Sequence, residues 1–367
     1  MTEFVQLHLL VSYPPANLNR DDLGRPKTAT MGDTLRLRVS SQSLKRAWRT
    51  SEVFDRGLSG HLGVRTKMLG ELIARSFTTG TPVGALIRED AAETAFAGVD
   101  EAKAHAWGRE LAGLFGKVKK EGKEDDLQIE QLMHISPEEI TALEAVIADA
   151  ARTGALPTAD AMPPVLTNRH TAADIAMFGR MLAASPAFNT EAAVQVAHAI
   201  TVHQVVVEDD FFTAVDDLNR GIEDVGAGHM GETEFAAGLF YLYLCVNRDL
   251  LIENLQGDRA LADAALQALV EAAATISPTG KQATFGSRAR ASYVLAEKGT
   301  QQPRSLSVAY LTPLGRGGDL LGGAIATLQQ TRKNMDAVYG ACSDASTEMN
   351  AHTGTGTFAE VLSFVAS

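Results

Sequence analysis

The sequence predicts an α+β protein in which a largely helical segment interrupts a domain of strands and helices. Two runs near the start, residues 4–12 and 34–39, alternate between apolar and polar side chains, which is typical of half-buried strands. Residues 59–185 are rich in alanine and charged side chains and follow a helical period instead. Strand-like runs return after residue 190, so the segments on either side of the helical one are expected to fold together.

The first strand, residues 4–12, is expected to end at Pro14-Pro15, because paired prolines mark turns and loops. Residues 17–33 follow and are rich in Asn, Asp, Gly and Pro, so they predict a long loop. Loops of this length inside a compact domain are usually functional or disordered.

The second strand, residues 34–39, carries Arg36 and Arg38 on one face and apolar side chains on the other. The serine pair at 40–41 suits the N-cap of a helix, which is predicted at residues 42–54. The stripe of this helix that is expected to be buried consists of Leu44, Ala47 and Trp48.

The rest of the chain contains both kinds of element. Ser136-Pro137 begins a helix, since serine caps a helix and proline is tolerated at its first position. Residues 192–207 suit a helix or a strand by pattern, and the β-branched run at their end favours a strand. Further predicted elements are a strand at 235–246, a helix at 249–275, a short strand at 290–295 and a helix at 322–339.

The composition is that of a globular protein with a formal net charge of −12, which argues weakly against nonspecific binding of nucleic acid. No run of about 18 apolar residues is present, so we expect no membrane partner. The first residues include an acid and no basic cluster, which argues against a signal peptide. Cys245 and Cys342 are the only cysteines, so we expect no disulfide framework, and a reducing cytoplasm is the simplest compartment.

Motifs of catalysis and cofactor binding are largely missing. The glycines of GAGHMG at 226–231 follow an acidic segment rather than a strand, so they predict a flexible loop and not a dinucleotide site. His198 and His203 are five residues apart, a spacing that does not place both on one face of a helix or strand. The acids at 208–210 and 216–217 suit a catalytic pair or cation ligands, but a solvated acidic loop is favoured. Nothing in these motifs identifies an enzyme, and a metal site would have to be assembled from distant residues. We expect no cofactor and no metal.

Positive charge is concentrated near the N-terminus. Residues 17–50 hold eight of the 33 Lys and Arg residues and only three of the 45 Asp and Glu residues. An arginine-bearing strand leads directly into a helix start, where free backbone N–H groups and the helix dipole favour an anion. This arrangement suits the repeated phosphates of RNA, and a solvated basic surface with a capped helix is the alternative. The cations of this predicted track are Arg20, Lys27, Arg36, Arg38, Lys45, Arg46 and Arg49.

Several motifs resemble those of a known family. NLNRDD at 17–22, Lys27 and the run RLRVSSQSLKRAWR at 36–49 are similar to the backbone subunit of type I-E CRISPR Cascade surveillance complexes. The runs that agree further along, in the same order, are DIAMFGRM (174–181), AHAITVHQ (197–204), FFTAVDDL (211–218) and PRSLSVAY (303–310). The resemblance spans most of the chain, although the helical segment between about 59 and 170 matches poorly.

The resemblance implies an α+β fold with an RRM-like (ferredoxin-like) palm, an inserted helical fingers domain and an extended thumb hairpin. The implied boundaries are a first part of the palm at 1–58, the fingers at 59–190, a palm strand at 191–203, the thumb at 204–235 and the remainder of the palm at 236–367.

It also implies a function. In this family several copies stack head to tail along one guide RNA (crRNA), grip its phosphate backbone, kink it at regular intervals and present its bases to target DNA. The implied partners are the guide RNA, target DNA by way of the guide, further copies of the chain, and the large, small, tail and guide-processing head subunits of Cascade. Such a subunit is non-catalytic. The alternative is a subunit that itself cleaves target RNA through an acid of the thumb, as in related complexes of another type.

The resemblance assigns roles to individual residues. The implied contacts to the guide backbone are Arg20, Lys27, Arg38, Ser40, Gln42, Lys45, Arg46 and Arg49. Met181 is implied to wedge against bases at the kink, and Phe212 and Thr213 to meet the displaced base. The pattern alone favours core packing for Met181 and leaves Phe212 undecided.

A lysine cluster lies in the helical segment, within a run of mixed charge that is typical of a solvated loop. A contact with the target duplex from outside the filament is the functional hypothesis for this cluster. Its members are Lys117, Lys119, Lys120 and Lys123.

Overall fold

The computed structural model describes residues 2–214, 229–315 and 317–367. These residues form two compact units. Unit one consists of residues 1–57, 195–247 and 266–367, and unit two of residues 58–194 and 248–265. Both helices and antiparallel strands are present, which confirms the α+β class. The boundaries implied for the palm, fingers and thumb stay a prediction.

The strands differ widely in length. In chain order they are β1 (Phe4–Ala16), β2 (Thr28–Met31), β3 (Thr34–Val39), β4 (Val64–Thr66), β5 (Met133–Ile135), β6 (Val194–Val196), β7 (Ala199–Thr201), β8 (Glu208–Ala214), β9 (His229–Asn247), β10 (Ala291–Gly299) and β11 (Ala345–Asn350).

The helices are found in both units. In chain order they are α1 (Ser41–Arg49), α2 (Glu52–Gly57), α3 (Leu69–Thr79), α4 (Val83–Arg88), α5 (Glu101–Gly113), α6 (Pro137–Thr153), α7 (Ala173–Phe178), α8 (Arg248–Asn254), α9 (Arg259–Thr275), α10 (Gln282–Phe285), α11 (Leu320–Tyr339) and α12 (Phe358–Ala366). None of these helices, within the part of the chain that is described, has the length and apolar character needed to cross a membrane.

The sheet of unit one has the strand order β11-β10-β1-β9-β7-β3-β2, and β6 and β8 pair additionally with β9. β1 lies between β10 and β9 and is antiparallel to both. Every residue from Val5 to Val11 is buried, because β1 is a central strand and both of its faces are covered.

β1 does not end at Pro14-Pro15, as the sequence predicted. The strand continues to Ala16, which pairs with Ala236 of β9, and the register shifts between Tyr13 and Ala16. Proline has no N–H to donate, so the ladder of hydrogen bonds skips the two prolines and resumes after them.

The predicted long loop at 17–33 is also only partly a loop. Its last part is β2, which forms a hairpin with β3. Gly32 and Asp33 connect the two strands with φ of 59° and 58°. Two consecutive left-handed residues are what a tight hairpin turn requires, and Gly and Asp tolerate that conformation better than most residues.

The predicted helices exist, but two of them are interrupted. The helix predicted at 42–54 is divided into α1 and α2 at Thr50 and Ser51, whose hydroxyls bond to nearby backbone groups. The helix predicted at 249–275 is divided into α8 and α9, and Gln256 and Gly257 between them have φ of 60° and 86°. The predicted burial of Leu44, Ala47 and Trp48 is confirmed.

Later predictions agree better with the structure. The strand predicted at 235–246 lies within β9, and the helix predicted at 322–339 lies within α11. The strand predicted at 290–295 agrees with the first part of β10, which begins one residue later. The ambiguous segment at 192–207 contains two three-residue strands, β6 and β7.

Unit two is built mainly from helices. α3, α4, α5 and α6 contribute to one hydrophobic core with Phe77, Trp107 and Ile147. Ser136 caps α6 as predicted: its hydroxyl accepts from the N–H of Glu139, and the Glu139 carboxylate accepts from the N–H of Ser136. The small sheet β4–β5 was not predicted.

A buried ionic network links β1, β10 and α11 within unit one. Glu297 is completely buried and accepts hydrogen bonds from His8 (3.1 Å), Arg304 (2.6 Å) and Arg332 (2.7 Å). Desolvation opposes ionisation of Glu297, but the hydrogen bonds from His8 and Arg304 outweigh it and hold its pKa far below the usual range. Burial lowers the pKa of His8 at the same time.

We expect Glu297→Gln to lower the free energy of unfolding at neutral pH by about 3 kcal/mol or more, because it leaves Arg304 and Arg332 without their buried counter-ion. The difference should shrink as the pH falls below 4.5, the usual glutamate pKa, since the unfolded wild-type chain then takes up a proton before the folded one. Urea unfolding at several pH values measures it. The control is Asp149→Asn, which removes an exposed ion pair with Arg152 and should change stability by less than about 0.5 kcal/mol. Equal losses of stability from the two substitutions would contradict the role of Glu297 as a buried counter-ion that stabilises the fold.

Candidate nucleic-acid interface

The first helix of unit one carries the predicted basic surface. Ser40 is its N-cap: the Ser40 hydroxyl accepts from the N–H of Ser43, and the Ser40 side chain is buried. Four residues of α1 follow the spacing i, i+3, i+4 and i+7, so they share the face opposite the buried stripe. They are Gln42, Lys45, Arg46 and Arg49.

This face of α1 is strongly cationic, because the helix contains no acidic residue. Gln42 and Arg46 are exposed, and Lys45 and Arg49 are half-buried. Desolvation lowers the pKa of Lys45. Ser40 differs from its neighbours, because its hydroxyl is engaged in the cap and its backbone N–H donates to Oδ1 of Asn19 at 2.9 Å.

The two arginines of β3 have different environments. Arg36 is completely buried, and its guanidinium donates to the carbonyl oxygens of Thr201 (2.8 Å) and Tyr310 (2.9 Å) and to the hydroxyl of Thr34 (2.9 Å). The prediction that Arg36 belongs to the phosphate track is therefore wrong, because all three of its nitrogens bond within the protein interior. Arg38 is only half-buried.

Arg38, Lys27 and His198 form a small cluster at the edge of the sheet. The backbone N–H of Arg38 donates to the carbonyl of Lys27 (2.8 Å), and its Nη1 lies 2.8 Å from Nδ1 of His198. β3 pairs with β7 next to this point, with Val39 opposite Ala199. The sequence motifs contained His198, but its contact with Arg38 was not predicted.

The segment before β2 is ordered by its own hydrogen bonds. Asp21 accepts from the N–H groups of Leu23 and Arg25 at 3.0 and 2.9 Å, and the N–H of Lys27 donates to the carbonyl of Asn19. Arg20 is exposed on this segment. The loop is also tied to β9 of the same unit, because Arg25 pairs with Glu234 at 3.0 Å.

Met181 lies on the surface of unit two with 80% of its area exposed, so the alternative of core packing is wrong. It follows Arg180, which is buried and pairs with Glu139 at 2.6 Å. Met181, Leu132 and Lys117 line a groove of about 280 Å³. The buried ion pair fixes the backbone from which Met181 projects.

The hairpin of β8 and β9 carries the predicted thumb residues on a strand, whereas the sequence suggested a loop around Phe211-Phe212. Phe212 is 44% exposed and lies opposite Gly231, and a Cβ on Gly231 would come within 2.3 Å of its ring. Gly231 thus leaves room for the aromatic ring across the strand. Thr213 is the next residue, so it projects from the other face and does not form one continuous surface with Phe212.

The acids of this hairpin are exposed at Glu208, Asp209 and Asp210. Asp209 lies directly opposite Glu234 in the register of the hairpin. Asp216 and Asp217 lie outside the described residues, as does the first half of the glycine segment, residues 226–228. Among the described residues, no group of three or more His, Cys, Asp or Glu side chains is arranged to hold a metal ion.

The lysine cluster of unit two is accompanied by acids. Lys117 pairs with Glu130 at 2.9 Å, and Lys119 contacts Gln128 at 2.9 Å and Asp125 at 3.8 Å. Lys120 and Lys123 are exposed. These neighbouring carboxylates reduce the positive potential of the cluster, and the hypothesis that it contacts a duplex stays a prediction.

The sheet, the cationic helix face and the exposed hairpin define an α+β protein whose basic surface suits a polyanion. The chain belongs to the family of CT1975-like proteins, whose family model matches residues 5–363. It is similar to a chain of a pre-nicking CRISPR RNA-guided surveillance complex, with 30% identity, a TM-score of 0.82 and 99% of each chain covered.

A second chain, from another CRISPR RNA-guided surveillance complex, has 25% identity and a TM-score of 0.61, with 99% of this chain and 98% of that chain covered. No curated protein sequence matches. The resemblance to Cascade backbone subunits that the motifs indicated is confirmed at the level of the family, and the type I-E assignment stays a prediction.

The different environments of Arg36 and Arg38 can be separated by mutation. We expect Arg36→Lys to lower the free energy of unfolding by about 1–3 kcal/mol, because a lysine cannot reach all three acceptors and leaves buried carbonyl groups unpaired. Arg38→Lys is the matched control and should change stability by less than about 0.5 kcal/mol. Urea unfolding of both variants tests this, and a larger loss for Arg38→Lys would overturn the burial argument.

Proposed function

We propose that this protein is a backbone subunit of a CRISPR RNA-guided surveillance complex of the Cascade type and that it grips the phosphate backbone of the guide RNA. The observation that carries the proposal is the face of α1, where Gln42, Lys45, Arg46 and Arg49 project together from a helix without acids. The likeness over 99% of a chain from an RNA-guided complex supports it.

The topology of unit one supports an RRM-like palm. β1, β7, β9 and β10 come in this order along the chain, with shorter strands between them, and in the sheet they stand side by side in the order β10-β1-β9-β7. A helix follows the first of these strands, α1, and another follows the third, α9. We interpret this order as the β-α-β-β-α-β arrangement of ferredoxin-like folds, with the shorter strands as additions to it. Unit two then corresponds to the inserted fingers, and the hairpin of β8 and β9 to the thumb.

Contacts with phosphate and sugar would let the subunit accept any guide sequence, because they carry no base code. α1 supplies charge, and Arg20, Lys27 and Arg38 add to it at the neighbouring edge of the sheet. Met181 and Phe212 offer exposed apolar surface, which can replace lost base stacking at a kink without reading the base.

Several copies along one guide would follow from this mode of binding, since each copy covers only a short stretch of phosphates. The segments between kinks would stay free to pair with target DNA. We extend the proposal to a type I-E complex, with large, small, tail and guide-processing head subunits as further partners, on the basis of the motifs at 17–49 and 174–181.

We expect Lys45→Ala/Arg49→Ala to weaken binding of single-stranded RNA by about a hundredfold, because two charged hydrogen bonds are lost at about 1.5 kcal/mol each. The slope of log affinity against log salt should decrease by about 1.4 for two lost contacts. Fluorescence anisotropy at several salt concentrations measures both quantities, and circular dichroism checks the fold.

The matched control is Lys120→Ala/Lys123→Ala, which removes the same charge from unit two and should leave RNA binding unchanged. The same control variant tests the duplex hypothesis, because it should weaken target-duplex binding by a complex loaded with guide. Equal loss of RNA binding in both double variants would show that net charge, not the α1 face, determines affinity.

An RNA-cleaving subunit is the second candidate, and the exposed acids at 208–210 of the hairpin are the observation that favours it. We expect a purified complex to leave complementary RNA intact in the presence of Mg²⁺ or Mn²⁺, because these acids belong to a hairpin that would position a base rather than a water. Gel analysis of end-labelled RNA tests this. Regularly spaced cuts that disappear in Asp209→Asn/Asp210→Asn would establish the cleaving function instead.

A further inference from the structure

His198 belongs to the basic surface, and it lies between β6 and β7 with an exposed side chain. Its Nδ1 is 2.8 Å from Nη1 of Arg38. The neighbouring backbone is held firmly, because the N–H of Ala197 donates to the carbonyl of Tyr243 and Ala199 pairs with Val39. The imidazole is therefore presented to Arg38 by a rigid part of the sheet.

The chemistry of the pair fixes the state of the ring. A guanidinium has donors and no acceptor, so Nδ1 of His198 must accept the hydrogen bond from Arg38. An imidazole that accepts at Nδ1 carries its single proton on Nε2 and is neutral. Protonation of Nδ1 would replace this bond by repulsion between two cations.

The surroundings keep His198 in this neutral state. Desolvation, followed by the positive charges of Arg38 and Lys27, lowers the pKa of His198. Lys27 comes from the loop before β2 and Arg38 from β3, and these are the charged groups that face the ring among the described residues. The ring thus remains an acceptor below the pH at which an ordinary histidine is charged.

The contact also restricts the guanidinium of Arg38. Its Nη1 bonds to His198 and its Nε faces the carbonyl of Thr28 at 3.5 Å. Nη2 has no hydrogen-bond partner in the described part of the chain. The plane of the group is therefore set by the protein, and the donors of Nη2 remain for a ligand.

We infer that His198 is a positioning residue that holds the guanidinium of Arg38 in the orientation that contacts an RNA phosphate. This inference rests on the proposed function, since it deepens the description of the same surface. A flexible arginine side chain loses conformational entropy when it binds a phosphate. Because His198 already holds the guanidinium in place, less entropy is lost, and the affinity for RNA is about three- to tenfold higher.

A double-mutant cycle tests whether His198 acts through Arg38. We expect His198→Ala to weaken RNA binding by about three- to tenfold and to have no further effect in an Arg38→Ala background. His198→Asn should bind like the parent protein, because the amide oxygen of asparagine can accept at the place of Nδ1. His105→Ala is the matched control: His105 has a charged side-chain partner as well, the carboxylate of Asp126, but it lies in unit two, and its loss should leave binding unchanged.

The same cycle at about pH 7.5 and about pH 5 gives a second readout. The coupling between His198 and Arg38 should be smaller at the lower pH, because protonation of Nδ1 replaces the hydrogen bond by repulsion between two cations. A second cycle takes the His198→Asn variant as its parent and compares it with His198→Ala, each with and without Arg38→Ala. This second cycle should show the same coupling at both pH values, because an amide does not titrate in this range. An equal loss from His198→Ala with and without Arg38 would overturn the proposal and make His198 a direct RNA ligand.

The state of the ring can be examined without RNA. ¹⁵N chemical shifts of His198 in the free protein should report a proton on Nε2 and none on Nδ1 at neutral pH, and Arg38→Ala should raise its pKa. A proton on Nδ1 would overturn the inference. If the NMR result holds but neither the parent nor any variant binds RNA, the proposed function fails and the geometry of the Arg38–His198 pair stands.

Discussion

The buried carboxylate of Glu297 is the group on which the arrangement of unit one depends. It accepts from Arg304, which lies in a loop, and from Arg332 of α11, so separate segments meet at one ion. A carboxylate buried without such partners would be strongly unfavourable, and the segments must therefore close around it together. The segment after Arg304 leads to Tyr310, whose carbonyl accepts a hydrogen bond from the guanidinium of Arg36 in β3. The sheet edge that precedes α1 is thus tied to the interior.

Local periodicity was sufficient to predict β3 and the buried stripe of α1, because both depend on neighbouring residues alone. It also predicted that Arg36 and Arg38 share a face. It could not predict that Arg36 is buried by another segment of the chain, whereas Arg38 on the same face is only half-buried. Arg36 is covered by the segment around Tyr310, which is 274 residues away in the chain. A sequence period gives the direction of a side chain and does not reveal which distant segment packs on it.

The errors in the fold have the same origin. β2 is only four residues long and has no clear alternation, so it exists because β3 offers it hydrogen bonds. β1 continues beyond Pro14-Pro15 because β9 is long enough to pair with Ala16. In the candidate site, His198 is 160 residues from Arg38, and only the pairing of β3 with β7 brings them together. In each case the structure depends on which distant strand pairs with the segment. The sequence of the segment itself does not contain that information.

The contacts of the buried Arg180 explain why the neighbouring Met181 is exposed. An apolar side chain is stabilised when it packs onto nearby apolar surface. Such surface is available to Met181, because Leu132 lines the same groove. The guanidinium of Arg180 bonds to the Glu139 carboxylate and to three carbonyl groups, so the backbone at Met181 cannot easily turn the side chain inward. The ion pair thus fixes the backbone from which Met181 projects, while the methionine side chain keeps its own rotatable bonds. Under the proposed function, an exposed methionine on a fixed backbone would offer apolar surface to the bases without reading their sequence.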